Sequence, residues 1–179
     1  MTIKVVIVSD IFGYTDELEQ LASRFTDNAI IVDPYHACRH SFVNDKQAYQ
    51  RFCEDGGMDV YIKVVSNTLK SLTQPYIIVG FSAGAAAAWH YLNDCDEHCQ
   101  RAVLFYGGQV RHYANLTPKV PTTIVHPFME EHFDIAKLSL QLSNTSNVKV
   151  INTPYQHGFM NPLSEGYDEK GANQYLDWL

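Results

Sequence analysis

A serine that stands between two glycines is the strongest chemical signal in the sequence. Residues 80–84 read Gly-Phe-Ser-Ala-Gly, a G-x-S-x-G motif centred on Ser82, with a β-branched run before it and helix-favouring alanines after it. A sharp turn from a strand into a helix needs small residues on both sides, and it leaves the central side chain strained and exposed. The motif therefore predicts a nucleophilic serine, and an ordinary strand-turn-helix junction is the alternative.

A histidine and several carboxylates follow the serine in the order that serine catalysis requires. A serine hydroxyl needs a base to take its proton and a carboxylate to orient that base. In hydrolases with this kind of turn, the chain order is serine, acid, histidine, each at the end of a strand. His157 follows the last predicted strand, and the segment before it offers Glu130, Glu131 and Asp134. The order predicts a triad, and the residues alone leave the acid open.

Apolar strands and amphipathic helices alternate along the chain. Near-continuous apolar strands separated by helices predict a parallel sheet that is covered on both faces. Thr15 is expected to cap the first helix, and the long stretch 34–57 is expected to be a functional loop. The predicted strands are 3–9, 29–32, 76–79, 102–106, 122–126 and 148–152, and the predicted helices are 15–26, 59–71, 84–93, 132–141 and 167–178.

The carboxyl ends of these strands are where a site is expected, because open parallel sheets bind their ligands there. The residues that follow the strands are therefore the candidates for catalysis and binding. They are Asp10 to Gly13, Asp33 to His36, Ser82, Gly107 and Gly108, Phe128 to Asp134, and Pro154 to Phe159.

Composition narrows the class of protein. The chain has 179 residues, of which 46% are hydrophobic and 18% charged, as expected for one folded domain over 1–179. The net charge of −7 and the lack of a basic run argue against nucleic-acid binding. With no signal-peptide pattern and no membrane-length apolar stretch, we expect a cytoplasmic protein that does not bind membranes. The four cysteines are expected to be free thiols, and Cys95 and Cys99 a plain helix end rather than metal ligands.

The opening segment VVIVSDIFGYTDELEQLASRFTDNAIIVDPYH, Val5 to His36, resembles the start of the dienelactone hydrolase family of α/β-hydrolases. The G-x-S-x-G motif, the acidic segment and the His157-Gly158-Phe159 run then follow in that family's order. The resemblance implies an α/β fold of the three-layer α/β-hydrolase type, with a mostly parallel sheet of about six strands. Members of that family usually carry further N-terminal strands, so we expect an N-terminally shortened sheet here. The connection 107–120 is too short for a cap domain.

The resemblance assigns roles to single residues. Ser82 is the implied nucleophile, at a position where family members often carry cysteine, and His157 is the implied base. Matching the acidic segment through His132 and Phe133 makes Glu131 the implied acid, with Glu130 and Asp134 as the alternatives.

Further roles concern the surroundings of the serine. The backbone amides of Ile11 and Ala83 are expected to form an oxyanion hole. A shallow substrate pocket is expected near the strand ends. Its aromatic residues are equally well explained as part of the hydrophobic core, and Asp10 is equally well explained as a solvated loop residue. The histidines of the long loop are expected either to bind a carboxylate or phosphate of the substrate or to be solvated surface residues. The pocket residues are Asp10, Phe12, Tyr35, His36 and Phe159.

These observations favour a serine hydrolase that acts on small carboxylic esters, lactones or thioesters through an acyl-enzyme, with no cofactor and no metal. The expected partner is the small-molecule substrate, and a homodimer is expected to cover an open sheet edge. The alternative is a catalytically silent scaffold that binds a ligand or a protein, because His126-Pro127-Phe128 replaces a glycine-rich turn before the acid. A nucleotide-binding flavodoxin-like protein is less favoured, since residues 9–17 are acidic.

Overall fold

A six-stranded sheet forms the centre of the protein. The computed structural model describes residues 3–176, and every neighbouring pair of strands in it is parallel. The strand order is β2-β1-β3-β4-β5-β6. The prediction of a parallel sheet of about six strands is confirmed. The strands are β1 (Lys4–Val8), β2 (Ile30–Val32), β3 (Tyr76–Phe81), β4 (Cys99–Phe105), β5 (Thr122–His126) and β6 (Val148–Asn152).

Helices connect the strands and cover both faces of the sheet. Thr15 caps the first helix as predicted, and its hydroxyl oxygen accepts a hydrogen bond from the Leu18 amide at 3.1 Å. The predicted helix 167–178 is present as far as Leu176, and Trp178 lies outside the described residues. The helices are α1 (Asp16–Phe25), α2 (Asp45–Glu54), α3 (Gly57–Lys70), α4 (Ala83–Leu92), α5 (Ile135–Ser143) and α6 (Glu169–Leu176).

The prediction of one continuous loop over 34–57 is wrong, because α2 lies within it. Asn44 caps this helix by accepting a hydrogen bond from the Gln47 amide at 2.9 Å. Only Ala48 and Phe52, one turn apart, are buried. This apolar stripe is too narrow to give a clear helical period in the sequence, so the capping residue was the better signal.

Two hydrophobic cores lie on opposite faces of the sheet. Successive residues of β1 alternate between them: Val6 packs with α3 and α4, and Ile7 packs with α1 and α6. This alternation follows from the two-residue period of a strand, and it gives the three layers of the predicted fold. The helix α4 is buried almost all round, and its four consecutive alanines allow it to lie close to the sheet.

The connection from β4 to β5 is short. Between β4 and β5, the chain forms a single short 3₁₀ helix, Gly108–His112, and no cap is built there by the described residues. Within residues 3–176, no helix has the length and apolar character needed to cross a membrane.

Candidate active site

Ser82 sits at the turn between β3 and α4 in a strained backbone conformation. Its φ of 49° and ψ of −114° lie outside the regions that ordinary residues prefer. The Ser82 amide donates to the Phe105 carbonyl at 3.0 Å, which ties the turn to β4. A side chain at Gly84 would collide with the backbone carbonyls of Val8 and Ser9. The glycine is therefore required by the close approach of α4 to β1.

His157 reaches Ser82 from the loop that follows β6. Its Nε2 lies 2.8 Å from Ser82 Oγ, within hydrogen-bonding distance. The loop turns at Gly158, whose φ is 82°, and a side chain there would collide with Ser164. The imidazole packs beside the Tyr106 ring, with 5.1 Å between the ring centroids. The structure therefore brings together the serine and the histidine that the sequence singled out.

Glu130 contacts the other ring nitrogen of His157. Its Oε1 lies 2.8 Å from His157 Nδ1, and its side chain is only 16% exposed. A carboxylate can only accept hydrogen bonds, so Nδ1 carries the proton that it donates to Glu130. Nε2 is then free to accept the hydrogen of the Ser82 hydroxyl. Gly108 lies beside the carboxylate, where a larger residue would press against it.

The expected position of the acid needs a correction, because Glu131 does not contact His157. Glu131 is exposed, and Asp134 is occupied as the cap of α5, where it accepts hydrogen bonds from the Ala136 and Lys137 amides at 2.9 and 3.1 Å. Neighbouring residues of an extended loop point in different directions. A shift of one residue therefore decides which carboxylate faces the imidazole.

The Ile11 and Ala83 amides stand at the ends of β1 and β3. Among the described residues, no backbone carbonyl accepts a hydrogen bond from either amide. The turn that carries Ile11 is held on two sides. The Phe12 amide donates to Asp10 Oδ1 at 2.9 Å, and the Tyr35 hydroxyl donates to the Ile11 carbonyl oxygen at 2.7 Å. Both amides are therefore available to a bound group.

Asp10 is buried near His157 rather than solvated. Its Oδ2 accepts a hydrogen bond from Asn161 Nδ2 at 2.7 Å. Burial raises the pKa of Asp10 above its ordinary value, whereas the bonds from Asn161 and Phe12 and the nearby His157 lower it. Asp10 therefore joins the turn after β1 to the loop that carries His157.

The expected pocket of aromatic residues needs a second correction. Phe159 is fully buried in the core, where it packs against Phe105 and Tyr175. Phe12 and Tyr35 are also buried, and the Tyr35 hydroxyl is used to hold the Ile11 turn. His36 is exposed, and no described contact joins it to Ser82, His157 or Glu130. These side chains support the site rather than form an open wall.

His126, at the end of β5, is a buried histidine in the same region. Its Nδ1 lies 2.7 Å from the Ser139 hydroxyl, which donates to Asn152 Oδ1 at 2.9 Å. Its Nε2 has no hydrogen-bond partner among the described residues. Burial lowers the pKa of His126 to about 4, and the nearby Glu130 opposes this change weakly. His126 is therefore a neutral residue beneath the loop that carries Glu130.

Two residues of the site, Asn161 and Tyr106, were not singled out from the sequence. Asn161 lies four residues after His157, in the run that carries the histidine, and it meets Asp10. Tyr106 follows β4 directly, with a φ of 39°. Its position at a strand end was the one signal available.

The chain belongs to the dienelactone hydrolase family, because the model of that family matches residues 2–178. The family and the parallel sheet with helices on both faces define a hydrolase of the α/β-hydrolase fold. No curated protein sequence matches the chain significantly.

Solved structures share this fold with little sequence identity. A dienelactone hydrolase-like promiscuous phosphotriesterase from metagenomic libraries has a TM-score of 0.72 and 16% identity, covering 99% of this chain and 83% of its own. The α/β hydrolase domain-containing protein 10 from mouse has a TM-score of 0.68 and 14% identity, covering 99% and 88%. The esterase PE8 has a TM-score of 0.63 and 16% identity, covering 98% and 90%. Similarity at this level supports the fold alone.

Proposed function

We propose that the protein is a serine hydrolase of small carboxylic esters, lactones or thioesters, with Ser82, His157 and Glu130 as its triad. One observation carries the proposal: two contacts of 2.8 Å join Ser82 Oγ to His157 Nε2 and His157 Nδ1 to Glu130 Oε1. Membership of the dienelactone hydrolase family supports hydrolysis.

Acylation begins at the Ser82 hydroxyl. His157 Nε2 takes its proton while Oγ attacks the substrate carbonyl carbon, and Glu130 stabilises the imidazolium that forms. The carbonyl π electrons move to oxygen and give a tetrahedral oxyanion. As the bond to the leaving group breaks, His157 returns the proton to the departing alcohol or thiol. Water then repeats the sequence on the acyl-enzyme, releases the acid and restores the Ser82 hydroxyl.

The oxyanion is assigned to the amides of Ile11 and Ala83. Neither amide has a backbone acceptor among the described residues, and the two follow β1 and β3, which are neighbouring parallel strands. A pair of fixed N–H donors costs no reorganisation when negative charge develops on the oxygen. Loss of one such donor typically lowers kcat by about 10²–10³-fold.

An ester panel tests the proposal. We would incubate the wild-type protein and the Ser82→Ala variant with phenyl acetate, a small lactone and an acetyl thioester. Turnover is measured, and the mass of the acid-quenched protein is determined by mass spectrometry. We expect turnover of at least one class, an acyl adduct on the peptide that contains Ser82, and a loss of about 10³-fold or more in the variant. Equal turnover by the variant contradicts the assignment. Absence of turnover and adduct in the wild type favours a silent scaffold.

A further inference from the structure

Ser9, the residue that follows β1, is a buried serine that the proposed reaction does not use. It is 0% exposed. The Ser9 carbonyl lies so close to α4 that a side chain at Gly84 would collide with it. Gly84 directly follows Ala83, which carries one of the two assigned oxyanion donors. Ser9 therefore lies against the turn that holds the nucleophile.

The Ser9 hydroxyl is bonded to the peptide group that carries the other oxyanion donor. Its Oγ donates to the Asp10 carbonyl oxygen at 3.0 Å, and the Gly13 amide donates to the same oxygen at 3.2 Å. A backbone carbonyl oxygen has two lone pairs, so both of its acceptor positions are filled. The carbonyl end of this peptide group is therefore held by two donors.

The Asp10 carbonyl and the Ile11 N–H belong to one planar peptide group, which is trans. In a trans peptide the C=O and N–H bonds point in opposite directions, so a fixed carbonyl also fixes the direction of the N–H. No backbone carbonyl among the described residues accepts a hydrogen bond from Ile11. The bonds to the carbonyl oxygen also polarise the peptide group, which makes its N–H a stronger donor. The Ser9 hydroxyl thus acts on the Ile11 amide through the peptide group between them.

A second buried hydroxyl at the same end of β1 allows this effect to be separated from packing. Tyr61 of α3 is 0% exposed, and its hydroxyl donates to the Ser9 carbonyl oxygen at 2.9 Å. The described hydrogen bonds of the Tyr61 hydroxyl go to Ser9 and Val32, not to the Asp10 carbonyl. Tyr61 therefore stabilises the end of β1 without a bond to the peptide group of the oxyanion donor.

We propose that Ser9 is a positioning residue of the oxyanion hole, whose hydroxyl holds and polarises the Asp10–Ile11 peptide group so that the Ile11 N–H is aimed at the oxyanion. The inference rests on the proposed hydrolase function. Because the negative charge develops only as Ser82 attacks, loss of the Ser9 hydroxyl affects kcat more than KM. A hydroxyl with a structural role alone would affect stability and leave kcat unchanged.

The kinetic test compares Ser9→Ala with a matched control. With an ester that the wild type hydrolyses, we expect kcat of Ser9→Ala to fall about tenfold and KM to stay within about twofold. The loss is smaller than the loss of about 10²–10³-fold that follows removal of a whole donor, because the Ile11 N–H remains. Tyr61→Phe is the control, since it also deletes one buried hydroxyl, and its kcat should stay within about twofold of wild type.

Urea unfolding of both variants shows whether a loss of stability explains the kinetics. We expect both variants to be less stable than the wild type, because each loses a buried hydrogen bond, and only Ser9→Ala to lose turnover. Similar losses of kcat in the two variants, or an unchanged kcat in Ser9→Ala, would overturn the positioning role.

The amide nitrogen resonance of Ile11, measured by NMR, tests the hold on the peptide group without any substrate. Loss of a hydrogen bond to the Asp10 carbonyl returns electron density to the Ile11 nitrogen, so we expect an upfield shift in Ser9→Ala and a smaller change in Tyr61→Phe. An unchanged resonance in Ser9→Ala would overturn the proposal even if kcat falls. A wild type that hydrolyses no ester would refute the proposed function instead, and the shift would then still support the hold of Ser9 on the Ile11 amide.

Discussion

Glu130 Oε1 lies 2.8 Å from His157 Nδ1, while its neighbour Glu131 is exposed and does not contact the imidazole. The contact continues to Ser82 through Nε2. Of these two adjacent carboxylates in one loop, only that of Glu130 contacts the imidazole.

Glu130→Gln should lower kcat strongly. The substituted amide cannot stabilise the imidazolium as a carboxylate does, and its NH₂ group favours the wrong tautomer of His157. We expect a loss of about 10²–10⁴-fold with the fold intact. Glu131→Gln is the matched control, and it should stay within about twofold of wild type because its side chain is exposed. Steady-state kinetics with an ester that the wild type hydrolyses gives kcat for both variants. A large loss in Glu131→Gln with a small loss in Glu130→Gln would indicate that Glu131 is the acid.

His126 should make the protein less stable in acid. Its pKa is lowered to about 4 by burial, whereas in the unfolded chain it is about 6.5. Between these values the unfolded state binds the proton more readily. The contribution of neutral His126 to the free energy of unfolding is therefore complete above pH 6.5 and is lost as the pH falls towards 4. This group alone should lower the free energy of unfolding by about 3 kcal/mol over that range.

The control for this effect is His126→Asn. Asparagine can present an N–H to Ser139, but it does not titrate in this range. Urea unfolding at several pH values from 7 to 4 should give a shallower decline for the variant, although the variant starts from a lower stability. Parallel declines for both proteins would show that other groups cause the acid sensitivity.

Gly84→Ala should disrupt the turn that carries Ser82. A Cβ atom there would collide with the backbone carbonyls of Val8 and Ser9, which cannot move as a flexible side chain can. We expect α4 to shift from β1, the free energy of unfolding to fall by about 2 kcal/mol or more, and activity to fall with it. Gly57→Asn is the control, since its site is open and asparagine tolerates its φ of 56°. Thermal unfolding that is equal for the two variants would contradict this role of Gly84.

Asp45, the first residue of α2, should hold the loop after His157. It accepts hydrogen bonds from the Ser164 hydroxyl at 2.9 Å and from the Glu165 amide at 3.0 Å. Asp45→Ala removes both bonds, so we expect a loss of about 1–3 kcal/mol in stability and a smaller kcat. Glu165→Ala retains the backbone amide and should behave as wild type. Hydrogen exchange of the amides in 158–166 that is unchanged in Asp45→Ala would refute the anchoring role.

Much of the fold could be predicted from the sequence because it depends on local and repetitive signals. The short apolar runs predicted all six strands, and the glycines around Ser82 predicted the turn, because apolar patterning and steric limits on the backbone are local properties. The helix α2 was missed because only Ala48 and Phe52 of its residues are buried.

The details of the site depend on loops, whose sequences have no repeating pattern of apolar residues. The direction of each side chain in 127–134 is determined by contacts between distant segments, such as the Phe128 amide donating to the Tyr155 carbonyl at 2.6 Å. The partnership of Asp10 with Asn161 joins residues at opposite ends of the chain in the same way. Spacing in the sequence therefore limited the candidate acids to three, and only the fold shows that Glu130 is the one in contact with His157.

The central claim, an activated Ser82, is tested most directly with a fluorophosphonate probe. The wild-type protein is treated with the probe, and the modified peptide is located by mass spectrometry, with Ser82→Ala and His157→Ala treated in parallel. We predict an adduct on Ser82 in the wild type, no adduct at that position in Ser82→Ala, and strongly slowed labelling in His157→Ala. An unlabelled wild-type protein, or labelling of Ser82 at the same rate without His157, would contradict an activated serine.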